Sequence, residues 1–450
     1  MLESSKIRLE VGKTTAAVRA VVMKEFQNIA EKVPLRFATS SGVLIAGFGN
    51  EQGGWAIEEQ RARRAAWRKQ DQDGLIQDLV IELDESLPRF TATLSAINRA
   101  ASAKKIPVRI VAMWSRGDAM SGRYNLLEAS FLTEKTQSWQ QTHLRYMEGI
   151  RDARNVPRRT LMATLSERFF CQSIRLDPNN ENHISVLPAG HGVIVTRIDS
   201  PISVAPNSSN GYSISVYVGP RDFFRLRDAG FEQAFPVGVL SRIGLILMLL
   251  LNWIAAAIRN YGLAIVLLAG LVTLVLSPFT LLSFRSMKKL QELQPKMDQV
   301  KKKYANDTQR MNKEVFALFR EHRVSPLSGC LPVLLQMPVF FALWAAISHA
   351  IELRGATFLW IRDLSLPDRL ARLPIGFELN LLPILMAVAM FVQTKLSQQK
   401  MASGGPNMFS GPMMSVVFGV MFYQVPAGLV LYWLTNSLSS ILLYKLAKIS

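Results

Sequence analysis

The sequence is poor in the side chains from which most catalytic and metal sites are built. Two cysteines, Cys171 and Cys330, stand far apart, and only five histidines are scattered over 450 residues. That supply excludes a disulfide framework and a cysteine-based zinc site. No Gly-x-Ser-x-Gly, His-Glu-x-x-His or phosphate-binding P-loop occurs, and no paired acids stand in a context suited to general acid–base work. Charged residues make up only 19%, and acids are the scarcer sign, 34 Asp+Glu against 52 Lys+Arg, a net charge of +18. Such a surplus is the electrostatic footprint of nucleic-acid binding. Hydropathy argues against it, because 49% of residues are hydrophobic and the mean hydropathy is +0.16. That is too apolar for a basic soluble or disordered chain.

Charge and apolar residues are segregated. Residues 1–235 hold 31 Lys+Arg and 25 Asp+Glu, while residues 236–450 hold 21 and 9 and most of the long apolar runs. The first part reads as a soluble domain and the second as a membrane domain. A helix needs about 20 apolar residues to cross roughly 30 Å of hydrocarbon. Uncharged runs occupy 260–284 and 324–351, and the shorter LNLLPILMAVAMFVQT (379–394) ends at Lys395, which can snorkel. From Ser403 to Tyr444 nothing is charged. A single helix there would be about 63 Å long, so the run must fold back, with Pro426-Ala427-Gly428 as the expected turn. Five spans result.

The positive-inside rule orients them. The loop 285–323, with 11 Lys+Arg against 5 Asp+Glu, and Lys400, Lys445 and Lys448 are expected in the cytoplasm, and the charge-balanced loop 350–378 outside. Residues 243–258 are apolar but short, and Ser241, Asn252 and Arg259 fall on one helical line. This suits an interfacial amphipathic helix over 236–259. A spanning helix at that place would move residues 1–235 to the cytoplasm.

Within the basic loop, Met287, Leu290, Leu293, Met297, Val300 and Tyr304 recur at intervals of three and four. After a break at Asn306-Asp307, Met311, Val315, Leu318 and Phe319 do the same. The pattern predicts an antiparallel helical hairpin with one apolar seam. Its cations, Lys288, Lys289, Lys296, Lys301, Lys302, Lys303 and Arg310, make either a solvated surface or a docking arm for lipid headgroups, ribosome or targeting factor. Polar residues inside spans are costly in lipid and point to an interior or cavity. Thr273, Ser277 and Thr280 share one face of the first span, Gln336 sits in the second and Gln393 in the third, and Tyr432, Asn436, Ser439 and Ser440 line the last. They form either interhelical glue or a hydrated groove.

Three runs then become recognisable: QPKMDQVKKKYANDTQRMNKEVFALFREHRVSPLSGCLPVLLQMPVFFALW, ELRGATFLWIRDLS and VPAGLVLYWLTNSLSSI. Their order and spacing resemble the YidC family of membrane protein insertases over residues 236–450. The resemblance implies a five-helix core around a hydrophilic groove, open to the cytoplasm and lipid and closed outside. Hydrophobic segments of nascent membrane proteins would enter the lipid of the bacterial inner membrane along it. It implies no cofactor, and as partners nascent chains, lipids, the general secretion translocon and the ribosome or a targeting factor. Direct DNA binding is not expected. Gln336, Gln393, Tyr432 and Trp433 would face the groove or its edge, and the hairpin would be a cytoplasmic lid. Bacterial members usually carry an arginine midway along the first core helix; here that position is Thr273. A neutral-polar groove is therefore expected.

Members with a large outer domain normally start with a membrane anchor, and here the most apolar early run, Gly42–Phe48, is too short to span. Residues 165–178, 191–204 and 211–235 resemble the end of the family's extracytoplasmic β-sandwich and alternate polar with apolar residues. Upstream, strands are expected at 76–83 and 107–114 and helices at 13–32 and 55–70, the latter with a basic face of Arg61, Arg63, Arg64, Arg68 and Lys69. The glycines of GVLIAGFGNEQGG (42–54) read as a turn or, far more weakly, as a dinucleotide loop. Cys330 reads as a packing residue. The expected architecture is thus a polytopic α-helical membrane protein (core 260–450, hairpin 285–323) plus an N-terminal soluble, β-rich, sandwich-like α+β domain, 1–235, placed outside. A channel or transporter would call for inverted repeats and buried ionisable residues, and a membrane-anchored enzyme for a catalytic constellation in 1–235; neither is present.

Overall fold

Alternation of buried and exposed residues, with a period of two, governs the chain up to Pro220. The computed structural model describes residues 1–13, 17–27, 34–38, 44–48, 54–71, 73–115, 127–135, 138–145, 154–156, 160–177, 180, 182–188, 193–235, 239–305, 307–322, 331–372, 378–397 and 411–449. Two units emerge, Met1–Pro236 and Val237–Ser450.

The first unit holds two nine-stranded antiparallel sheets. One runs Leu2–Glu3, Ile7–Val11, Ala17–Gln27, Leu44–Phe48, Lys104–Ser115, Val193–Val204, His183–Pro188, Arg154–Val156, with Pro34–Ala38 also paired to Ala17–Gln27. The other runs Ser138–Arg145, Glu128–Lys135, Thr160–Ser166, Phe170–Arg175, Ser208–Pro220, Arg89–Asn98, Leu75–Leu83, Arg64–Gln70, Ala56–Gln60. The sheets meet through alternate apolar side chains such as Val108, Ile110, Leu79, Ile81 and Leu94, all buried. Phe170 of the second sheet meets the rings of Phe26 and Phe37 of the first at centroid distances of 5.4 and 5.5 Å. Trp67 Nε1 donates across to Gly12 O at 3.2 Å. One polar cluster inside this interior is paired, as burial favours: Tyr212 Oη donates to Asn182 Oδ1 at 2.9 Å, Ser200 Oγ donates to the same oxygen, and Asn182 Nδ2 donates to Asp177 O at 3.0 Å.

Both helices expected upstream are strands. In Ala17–Gln27 the exposed Arg19 and Lys24 interrupt buried Val18, Ala20, Val21 and Met23, and the β-branched valines favour the pleat. Residues 55–70 are rich in helix-forming Ala, Arg, Glu and Gln, but sheet pairing overrides local propensity. Ala65 and Trp67 point into the core. The supposed basic helical face is a strand whose cations meet carboxylates on its neighbours, Arg68 with Asp78 at 2.7 Å and Arg64 with Glu82 at 3.4 Å. The strand Leu44–Phe48 lies antiparallel inside its sheet, and the next described element is the strand Ala56–Gln60, so among the described residues no helix follows the strand as a dinucleotide loop requires; residues 49–53 of the glycine motif lie outside them.

The alternation expected over 211–235 stops at Pro220. Helix α1 (Phe223–Asp228) follows, its first turn capped by Asp222 Oδ1, which accepts from Arg225 N at 3.0 Å. Leu226 and Phe231 pack on Tyr217, Met162 and Cys171. Burial pushes the Cys171 thiol up to about 12, which keeps it an inert packing group. Cys330 lies outside the described residues.

The second unit is helical: α2 (Val239–Ile258), α3 (Tyr261–Lys303), α4 (Thr308–Glu321), α5 (Leu331–His349), α6 (Leu381–Ser397), α7 (Gly411–Met421) and α8 (Ala427–Ile449). Arg259, in left-handed backbone (φ 60°), ends α2, and Asn260 immediately caps α3 by accepting from Leu263 N at 2.9 Å. The segments Tyr261–Ser283 of α3 and Ala427–Leu446 of α8 are long and apolar enough to cross a membrane; Arg242–Ile258 and Leu381–Leu396 are shorter apolar helices. Helix α3 continues without a break from its apolar part into the basic part. It then packs antiparallel on α4 through Leu293, Met297, Val315 and Phe319, the seam read from the sequence. Asp307 caps α4. The turn after α7 occupies 422–426, and α8 starts at Ala427, one residue past Pro426.

Candidate polar groove and its charged hairpin

Helices α3 and α8 run side by side in the same direction. Gly428 lets them approach, since a Cβ there would lie 3.2 Å from Ile265 Cδ1. Eight residues on from each of these contacts, about 12 Å of helical rise, stand Thr273 and Asn436. Their side chains pair, Thr273 Oγ1 with Asn436 Oδ1 at 3.0 Å. Thr273 Oγ1 also lies 2.8 Å from Ala269 O, the carbonyl one turn back, and its single proton serves one of the two. The second pair joins α5 to α8: Gln336 Nε2 donates to Tyr432 Oη at 2.6 Å. Tyr432 is fully buried, whereas Gln336 and Asn436 are half-buried. Tyr432, Asn436 and the buried Ser440 stand four residues apart on one face of α8, and that face receives polar groups from two other helices.

The other expected groove residues sit differently. Pro278 has no N–H to offer the carbonyl of Leu274, and Ser277 Oγ donates to that oxygen at 2.7 Å. Thr280 Oγ1 donates back to Leu276 O at 3.0 Å. Both hydroxyls are thus held within α3. Gln393 is half-buried on α6 and takes no part in the two pairs. Trp433 packs in an aromatic cluster between α5, α7 and α8, edge-on to Phe340 at 4.7 Å and stacked on Phe418 at 5.6 Å. No charged residue falls between Tyr261 and Ser283 or between Ala427 and Tyr444. Lys395 lies at the end of α6, over the ring of Phe391 at 5.7 Å. The pairs are therefore neutral.

One end of these helices is closed by a network that sequence reading passed over. Asp368 Oδ2 accepts from Leu381 N at 2.8 Å and Leu382 N at 2.9 Å, capping α6, and from Trp360 Nε1 at 3.2 Å. Asn380 Nδ2 donates to Tyr423 O at 2.7 Å. Leu366 O and Leu364 O accept from Ala427 N and Gly428 N at 2.8 Å, satisfying the free amides at the start of α8. Asp368 stands 13 residues ahead of Leu381, across a loop, so no local pattern marks it as the cap.

On the hairpin, Lys289, Lys296, Lys302, Lys303 and Arg310 are exposed, and Lys288 and Lys301 belong to the same stretch of α3. Several cations already have neighbours. Lys303 and Arg310 each lie 5.4 Å from the Tyr304 ring, and Lys296 Nζ is 3.2 Å from His322 Nε2.

The family described as 60Kd inner membrane protein matches residues 253–448. A membrane protein insertase YidC of Geobacter sp. (strain M21) is 33% identical over 330 residues, covering 71% of this chain and 58% of that protein. The YidC of Syntrophobacter fumaroxidans is 38% identical over 267 residues, covering 57% and 47%. The chain thus spans about half the length of these curated relatives. A crystal structure of an active YidC insertase aligns with 98% of this chain at 18% identity and a TM-score of 0.41. Residues 253–448 thus match the 60Kd inner membrane protein family, and over this stretch the chain is similar to the YidC membrane protein insertases.

Proposed function

We propose that this chain inserts nascent membrane proteins into the bacterial inner membrane and helps them fold, alone or with the general secretion translocon. In this reading α3, α5, α6, α7 and α8 are five spans, α2 lies in the interface, and residues 1–235 are outside. The hairpin 285–323 and the C-terminus face the cytoplasm, where the cations of the hairpin dock the ribosome, a targeting factor or anionic lipid. The observation that carries the reading is the line of neutral polar pairs, Thr273 with Asn436 and Gln336 with Tyr432, inside helices otherwise apolar. Such a line, wetted from the cytoplasm, shortens the hydrocarbon path that the polar flank of an entering segment must cross. Burial of the segment's apolar residues in lipid then drives insertion. The closed network around Asp368 seals the opposite end. Outer faces support both parts of this reading: Leu274 and Val275 of α3 and Val388 of α6 are exposed and apolar, which suits spans in lipid, and so are Ile246, Leu249 and Trp253 of α2, which suits an interfacial helix.

Expression of the chain in a bacterium depleted of its own insertase tests this. Restored growth and restored insertion of a single-span reporter are expected. Normal accumulation of the chain in the membrane with neither restored would overturn the proposal.

A further inference from the structure

The loop between α5 and α6 carries a two-residue hairpin that displays leucine to the outside. Phe358 N donates to Ile361 O at 2.9 Å and Ile361 N to Phe358 O at 2.8 Å, leaving Leu359 and Trp360 at the tip. Leu359 sits at φ 51°, a conformation that turns of this kind give to glycine or asparagine and that leucine adopts only at a steric cost. Its side chain is 76% exposed, the highest value for a large apolar residue among those described. Strain and exposure together buy nothing for the fold; they fit a role at the tip.

The hairpin is held rigidly. The Phe358 ring presses on Gly262, where a Cβ would come within 2.1 Å of Phe358 Cγ. Leu364 N donates to Ala356 O at 2.9 Å, and Trp360 Nε1 to Asp368 at 3.2 Å. Gly262 is the second residue of α3, and Gly428, bonded to Leu364 O, is the second of α8. The tip is therefore fixed beside the first turns of α3 and α8, both long and apolar enough to cross a membrane, at the level where hydrocarbon gives way to headgroups. Exposed Arg362 follows the tip, and Leu370, also exposed, stands beside Arg369, a second residue in left-handed backbone at φ 40°. Leucine and tryptophan at such a level, flanked by arginine, match the acyl–headgroup boundary.

We propose that the Leu359–Trp360 tip, with Leu370, is an interfacial anchor that inserts into the outer surface of the lipid bilayer. This rests on the membrane-spanning reading of α3 and α8. To test it, the full chain carrying Cys330→Ala and Leu359→Cys is labelled with an environment-sensitive fluorophore and reconstituted in phosphatidylcholine–phosphatidylglycerol nanodiscs. The buried Cys171 needs no replacement. Labels at Val275→Cys and Arg61→Cys serve as lipid and water references. The Leu359 label is expected to be quenched by lipids bearing a nitroxide near the headgroup and shielded at least threefold from iodide relative to the Arg61 label. Iodide quenching equal to that at Arg61 would overturn the anchor, and so would self-quenching that places the tip against a second copy. A Val275 label open to iodide would instead overturn the spanning of α3. A label at Leu370→Cys repeats the measurement without disturbing the strained position.

Discussion

Replacing Thr273 by arginine separates a wet groove from a merely packed helix interface. Thr273 lies 12 residues after Tyr261 and 10 before Ser283, so about 18 and 15 Å from the ends of the apolar part of α3. Val275 is at nearly the same depth but about 200° round the helix, with 66% of its surface exposed. An arginine facing lipid at such depth costs about 2.5–3.5 kcal/mol, on the order of a hundredfold in folded population at 1.4 kcal/mol per decade. At position 273 it would face Asn436 and groove water. The charge would stay hydrated, and the main cost would be the lost pair with Asn436, about 0.6 kcal/mol and at most about 1.7. Reversible unfolding of the purified full chain in mixed micelles, titrated with dodecyl sulfate, reads the difference. Val275→Arg is expected to lose about 3 kcal/mol and Thr273→Arg no more than about 1.7. In insertase-depleted cells Thr273→Arg is expected to retain or improve insertion. Equal destabilisation by the two substitutions, or abolished insertion by Thr273→Arg, would refute the hydrated neutral groove.

A double-mutant cycle of Thr273→Val and Asn436→Leu in the same unfolding assay should give a coupling of about 0.6–1.7 kcal/mol; additivity within error would show the side chains to be unpaired. Phe319→Ala, which empties the seam between α3 and α4, should cost about 3 kcal/mol locally, the low end for a buried Phe→Ala. Hydrogen exchange should then rise across 287–322 and stay unchanged in α8. In the β-rich unit the hydrogen bond from Arg36 holds the Glu10 carboxyl below its ordinary value. A depressed carboxylate contributes stability above its unfolded-state pKa and loses it as pH falls through the folded one. Calorimetry between pH 5 and 3 should therefore show a smaller fall in Tm for Glu10→Gln than for the unaltered chain.

The helical unit was legible because lipid leaves few choices. A long uncharged run has to be a helix, and the three- and four-residue spacing from Met287 to Phe319 names its own seam. The strands 76–83 and 107–114 were legible for a similar reason, as alternation in β-branched runs admits one reading. Residues 55–70 were not. Their Ala, Arg, Glu and Gln favour helix locally, and what makes them strands is pairing with Leu75–Leu83 and burial of Ala65 and Trp67, partners met only after folding. In the candidate site, composition along each helix gave the polar residues but not their partners. Ser277 looked like a groove residue until Pro278 was seen to leave Leu274 O open, and Trp433 shares a helix with Tyr432 yet turns to Phe340 and Phe418. The Asp368 network was hidden because its acceptor and amides are separated by loop.

Insertion of membrane proteins by this chain is tested most directly by reconstitution. Liposomes containing the purified full chain are supplied with a single-span protein made by cell-free translation, and protease protection of its translocated tail is measured. Protection several-fold above empty liposomes, reduced when Gln336 and Tyr432 are both replaced by leucine, is the result expected. Protection no greater than in empty liposomes, with the chain folded in the membrane, would rule out insertase activity.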